Sequence, residues 1–146
     1  MSQYFDIGDE TLWNPSNGAA RLFLLQVAAF EEEVGLPSGF GPMENDECRL
    51  DPVAFEAFLD ALLARHRRTS HAVLLALSEG FVATVLVLAE RAGIEADWER
   101  LEEIPSGPLS DVQAGARTGM STPADAGVWG TALRERAQEL GRRMPR

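Results

Sequence analysis

The run from His71 to Arg91, HAVLLALSEGFVATVLVLAER, is the most apolar part of the chain, and any fold must dispose of its side chains first. At 100° per residue, Leu74, Leu77, Phe81, Val85 and Leu88 share one flank and Leu75, Val82 and Leu86 the next. That spacing predicts a helix buried round most of its circumference. Ala72, Ala76, Gly80 and Ala83 form the remaining sector, where a neighbouring helix can approach closely or the surface can be left open. Ser78, Glu79 and Gly80 interrupt the run, and a carboxylate at bilayer depth is costly, so the expectation is a central core helix over 71–92 and no membrane span.

The flanking sequence supplies two more helices. Asn14-Pro15-Ser16 carries a capping side chain on either side of a proline, a helix start. Ala19, Phe23, Val27, Phe30 and Val34 then recur at helical spacing, giving a helix over 15–34 that Gly35 and Pro37 stop. Asp51-Pro52 opens a second helix, 52–68, with Phe55, Phe58, Leu59, Leu62, Leu63 and His66 as its stripe. Thr69-Ser70 is too short a break for anything but an antiparallel turn into the central helix.

The remaining stretches read as arms and loops. Residues 3–13 form two short runs about Gly8-Asp9, a pair suited to a two-residue II′ turn, so a short N-terminal hairpin or an irregular arm is expected. Residues 35–51, with three glycines, two prolines and the acidic run Glu44-Asn45-Asp46-Glu47, read as one long loop. Trp98, Leu101 and Ile104 suit a short amphipathic turn. Residues 105–127 are mostly small or polar and read as a flexible linker. A C-terminal helix over 128–146 presents Trp129, Leu133, Ala137 and Leu140 on one side, with its docking undecided. The expected fold is therefore all-α, a three-helix core within residues 1–104, followed by linker and terminal helix.

Composition narrows the function. The formal net charge is −10, and the basic residues are all arginine. That balance argues against a nucleic-acid groove, which needs clustered positive charge, and suits a basic protein partner. The single cysteine, Cys48, excludes an intramolecular disulfide. With no basic, apolar leader in MSQYFDIGDE, a cytoplasmic location is expected.

Chemistry-bearing residues are few. Glu44, Asp46, Glu47 and Asp51 gather negative charge near one another, but without the spacing of a calcium loop. They are the expected partner-binding residues, and no metal or cofactor is expected. Cys48 with His66 allows a nucleophile and base, without any protease signature around the cysteine. His66 and His71 astride a turn supply two ligands, too few for zinc. Glu79, mid-helix in apolar company, is a candidate acid or base if buried. Arg65-His66-Arg67-Arg68 could hold a phosphate, or could simply complement the end of its helix. No P-loop, GxGxxG, HExxH, CxxC or GxSxG motif is present.

The segments YFDIGDETLWNPSNGAARLF, LPSGFGPMENDEC and TSHAVLLALSEGF resemble an uncharacterised family of small acidic actinomycete proteins. The resemblance covers residues 3–98. It implies an actinobacterial cytosolic protein and supplies no activity or site residues. Three functional readings follow from the sequence. The favoured one is a non-enzymatic interaction module, regulatory or of immunity type, that meets a basic partner through its acidic loop. A second is a small enzyme or ligand-binding protein using His66, His71, Glu79 or Cys48 in a pocket between helices, and a third is a secreted or self-associating helical protein.

Overall fold

In a computed structural model, which describes residues 2–105 and 124–146, the chain is α+β and not all-α. Two hairpins, β1 (Tyr4–Ile7) with β2 (Glu10–Trp13) and β3 (Phe40–Glu44) with β4 (Glu47–Leu50), form one four-stranded sheet in the order β2-β1-β4-β3. Each hairpin is antiparallel within itself, and the central β1–β4 pair is parallel. Helix α1 (Asn17–Val34) connects the hairpins. Beyond them come α2 (Pro52–Arg68), α3 (Ala72–Arg91), the short α4 (Trp98–Glu102) and α5 (Ala124–Gly141).

The expectation of a helical bundle failed at residues 35–51. They do not form one long loop: after the connection at 35–39 they build the second hairpin. Strand β4, Glu-Cys-Arg-Leu, does alternate outward and inward, but over four residues only. Strand β3 conceals its period because Gly41-Pro42 interrupts it: Phe40 pairs with Leu50 and Met43 with Cys48, so β3 carries one residue more than β4 between those pairs. Asn45 and Asp46 form the turn with φ of 51° and 65°, the left-handed pair that a type I′ hairpin requires and that Asn and Asp tolerate.

Register sorts the side chains cleanly. Trp13, Phe5, Cys48 and Met43 lie in one row across the four strands and face the helices. Thr11, Asp6 and Arg49 form a row on the other face, and Tyr4, Glu47 and Glu44 another. The shift between Phe5 and Asp6 leaves Leu12 over as a bulge, so Leu12 and Trp13 are both buried although adjacent.

The sheet's inner face is joined to the helices by aromatic rings. Phe5 stacks on Trp13 with centroids 5.2 Å apart and meets Phe23 and Phe40 edge-on. Phe40 meets Phe55 of α2 edge-on, and Phe81 of α3 stacks on Phe23 and, at 4.3 Å, on Phe30. Each such ring contributes roughly 1.5–3 kcal/mol by burial, with a further increment for the paired geometry. Of the stripe expected on α1, Phe23 and Val27 are buried, Phe30 and Val34 partly so, and Ala20 takes the inward place expected for Ala19. Ser16 caps α1, and Gly35 ends it at φ 78°.

Two devices hold the hairpins to this core. Gly39 sits at φ 84° where its carbonyl accepts Asp51 N–H at 2.8 Å, and a Cβ there would lie 2.6 Å from Asp51 O and 2.8 Å from Phe55 N. Only glycine fits so close to the start of α2. At the first hairpin, the Arg91 guanidinium donates to the carbonyls of Leu12 (2.7 Å), Gly141 (2.9 Å) and Met144 (2.8 Å), tying β2 to the ends of α3 and α5. Asn14 N–H also donates to Pro145 O.

Helix α5 begins four residues before the 128 expected and packs along α3, with Leu133 and Ala137 buried, as is Met144 just beyond its end. The linker expected over 105–127 lies, apart from its ends, outside the described residues.

Candidate functional site

The residues singled out in the sequence fall into three separate places. Cys48 is wholly buried on the inner face of the sheet, and its Sγ–H donates to Gly41 O at 3.2 Å. Burial, reinforced by the charge of Asp6, raises its pKa to about 11, so at neutral pH it is a thiol and not a nucleophilic thiolate.

His66 lies at the buried junction of α2 and α3. Its Nδ1 is 3.2 Å from Ser78 Oγ, and Ser78 spends its proton on Leu74 O at 2.6 Å. The hydroxyl must therefore accept, which places the imidazole proton on Nδ1. Desolvation lowers the His66 pKa, against an opposing pull from Glu79. The Trp129 ring of α5 covers the imidazole at 6.1 Å, and Arg67 lies over the same indole at 5.5 Å.

Glu79 itself is not buried. Its carboxylate is 45% exposed and pairs with Arg136 at 3.2 Å. His71 caps α3, with Nδ1 accepting from Leu74 N–H at 3.3 Å. Arg65 pairs with Glu33, so the basic run at the end of α2 is partly engaged in structure. A groove of about 370 Å³ does open between α3 and α5, lined by Leu59, Leu86, Trp98, Arg134 and Ala137 among others, with Arg134 lying over Trp98 at 4.8 Å. None of His66, His71, Glu79 or Cys48 lines it. Among the described residues no three His, Cys, Asp or Glu side chains converge to hold a metal ion.

The acidic residues occupy the third place, the tip of the β3–β4 hairpin. Glu44 and Glu47 are exposed and stand directly opposite each other across the I′ turn, with Asp46 half-exposed between them. The tip is pinned from below by Tyr4 N–H donating to Asp46 O at 2.8 Å. Arg49, two residues along β4, is the cation beside Glu47, at 3.5 Å in an exposed pair of small energetic weight. Tyr4, 40% exposed, stands in the same row as Glu47 and Glu44, so one phenol ring borders the carboxylates. Asp51, grouped with these residues in the sequence, has a different job: its Oδ1 accepts from Val53 N–H and Ala54 N–H and caps α2.

Over residues 1–146 the sequence matches the model of a family of unknown function, DUF6086. The chain belongs to that family. No curated protein and no solved structure matches it. For a DUF6086 chain the residues themselves must therefore carry the functional reading. Sequence reasoning missed Arg91 in this respect: a helix-end arginine looks like any other, and only the fold brings three carbonyls to it.

Proposed function

We propose that the chain is a non-enzymatic interaction module, regulatory or of immunity type and cytoplasmic, that binds a basic protein through the tip of the β3–β4 hairpin. The observation that carries the reading is the cross-strand pair Glu44–Glu47. Like charges directly opposite each other destabilise a hairpin, by up to about 1 kcal/mol relative to a neutral or complementary pair. A hairpin selected for stability alone has a lysine or threonine available at either position. Here two carboxylates face each other, a third sits in the turn, and the backbone beneath them is fixed by a tight turn and a hydrogen bond from Tyr4. Fixed, exposed negative charge of this kind steers and orients a basic partner with little to reorganise on binding.

Capture from a lysate of the source cells tests the proposal. The full chain is compared with a variant carrying Glu44→Gln, Asp46→Asn and Glu47→Gln, substitutions that remove charge and leave asparagine where the left-handed backbone needs it. A basic protein held stoichiometrically by the parent and lost by the variant is the expected result. Equal capture by both would rule the tip out as the binding surface.

A further inference from the structure

The groove between α3 and α5 sets charges of both signs beside an apolar floor. Leu59, Leu86, Ala89 and Ala137 are the buried side chains of that floor, and Ile94 and Trp98, partly buried, continue the lining. Arg134 enters from α5. Its Nε–H donates to Gly130 O at 3.2 Å and its guanidinium lies over the Trp98 ring at 4.8 Å, so the group is held in place before any ligand arrives.

Those contacts use one face and one donor. Arg100 and Arg136 nearby in the chain are paired with Asp60 and Glu79, whereas among the described residues no carboxylate pairs with Arg134. With 23 acidic residues against 13 basic ones in the sequence, this is no shortage of acids. The terminal nitrogens are left as a planar fork of the shape that matches a carboxylate. Glu90 of α3 and Glu95 of the turn after it line the same groove, both exposed and, among the described residues, both without an arginine.

The charges select the ligand. A simple anion meets Arg134 but also two carboxylates, and a simple cation meets the carboxylates but also Arg134. A molecule bearing one carboxylate and one ammonium group answers all three, while a hydrocarbon side chain covers the floor. The volume of about 370 Å³ lies near the small end of the roughly 300–1,000 Å³ typical of ligand sites, which suits a single amino acid.

We propose that this groove binds a free amino acid with an apolar side chain, its carboxylate on Arg134 and its ammonium group on Glu90 and Glu95. The site shares no residue with the acidic tip, so its test stands whether or not the tip binds a protein.

Calorimetric titration of the full chain reads the proposal directly. The probes are L-leucine and L-phenylalanine, each beside its one-charge analogues: 4-methylpentanoate and isoamylamine for the first, 3-phenylpropanoate and 2-phenylethylamine for the second. At least one amino acid binds with a Kd below about 1 mM, and its analogues bind at least about 10-fold more weakly. That comparison needs only the parent chain, so no folding defect can mimic it. Arg134→Gln and Glu90→Gln/Glu95→Gln each weaken the amino acid by at least about 10-fold, with circular dichroism checking the fold of each variant. Arg142→Gln, exposed and outside the groove, leaves binding unchanged. Absence of binding by both amino acids up to about 10 mM overturns the proposal. A one-charge analogue that binds as tightly as its amino acid overturns it too, because the groove would then read a single charge. Binding indifferent to Arg134→Gln, or to the paired glutamate substitutions, places the ligand elsewhere and overturns it equally.

Discussion

The two hairpins share a strand count, a two-residue turn and a place in one sheet, yet they are held and used differently. The β1–β2 hairpin turns at Gly8-Asp9, with Gly8 at φ 58°, and its β2 edge is tied to the rest of the chain by Arg91 and by the segment after α5. The β3–β4 hairpin is fixed at its base by Gly39 against α2, and at its tip it offers Glu44, Asp46 and Glu47 to solvent. The lesson is that two hairpins of one sheet can share a buried face and differ at their ends. Phe5, Leu12 and Trp13 of the first and Cys48 and Leu50 of the second all enter the core, whereas only the second sets two carboxylates directly opposite each other across its turn.

Four substitutions break or sharpen that contrast. The largest effect is expected from Gly39→Ala, which strains a left-handed backbone and drives a methyl into Asp51 O and Phe55 N. It costs about 3–4 kcal/mol in urea denaturation and loosens the base of the second hairpin. Arg91→Met comes next, at about 2–3 kcal/mol, because Leu12, Gly141 and Met144 lose a charged donor and the first hairpin loses its tie to α3 and α5. Hydrogen exchange should show the two losses in different hairpins, and a uniform loss from either variant would erase the distinction between them.

A third test separates the tip from the helical end. The native pKa of His66 is lowered by burial, so the unfolded chain binds the extra proton first as pH falls. Stability from this group is complete above an unfolded value of about 6.5, is lost as pH drops below it, and levels off beneath the lowered native value. Melting temperature measured across that window should slope in the parent, keep its slope in Glu44→Gln/Glu47→Gln, and flatten in His66→Gln. The smallest effect is a gain: Glu44→Lys turns a like-charge pair into a complementary one and stabilises the chain by about 0.5 kcal/mol. A loss of stability there would mean that the opposed carboxylates carry no strain to explain.

Much of the helical architecture was legible because its signals are local and repeated. Asp51-Pro52 states a helix start, Gly35 a helix end, and the stripe from Phe55 to His66 a buried face, all within a few residues of where they act. The turn at Gly8-Asp9 was legible for the same reason. The second hairpin was not, since β4 alternates over four residues only and Gly41-Pro42 breaks the period of β3. The parallel pairing of β1 with β4 joins residues more than forty positions apart, and no local pattern announces it. Glu79 shows the same limit in the site: its neighbours in sequence leave open whether the carboxylate is buried or faces water, and only the fold shows it turned outward to Arg136 of a helix far along the chain.

The most direct test of the binding surface is a calorimetric titration of the captured basic protein into the parent chain and into Glu44→Gln/Glu47→Gln, in dilute and in physiological salt. If the tip is the surface, the variant binds at least about 10-fold more weakly, and the parent's advantage shrinks as salt rises. Equal affinities for the two chains, unchanged by salt, would contradict it.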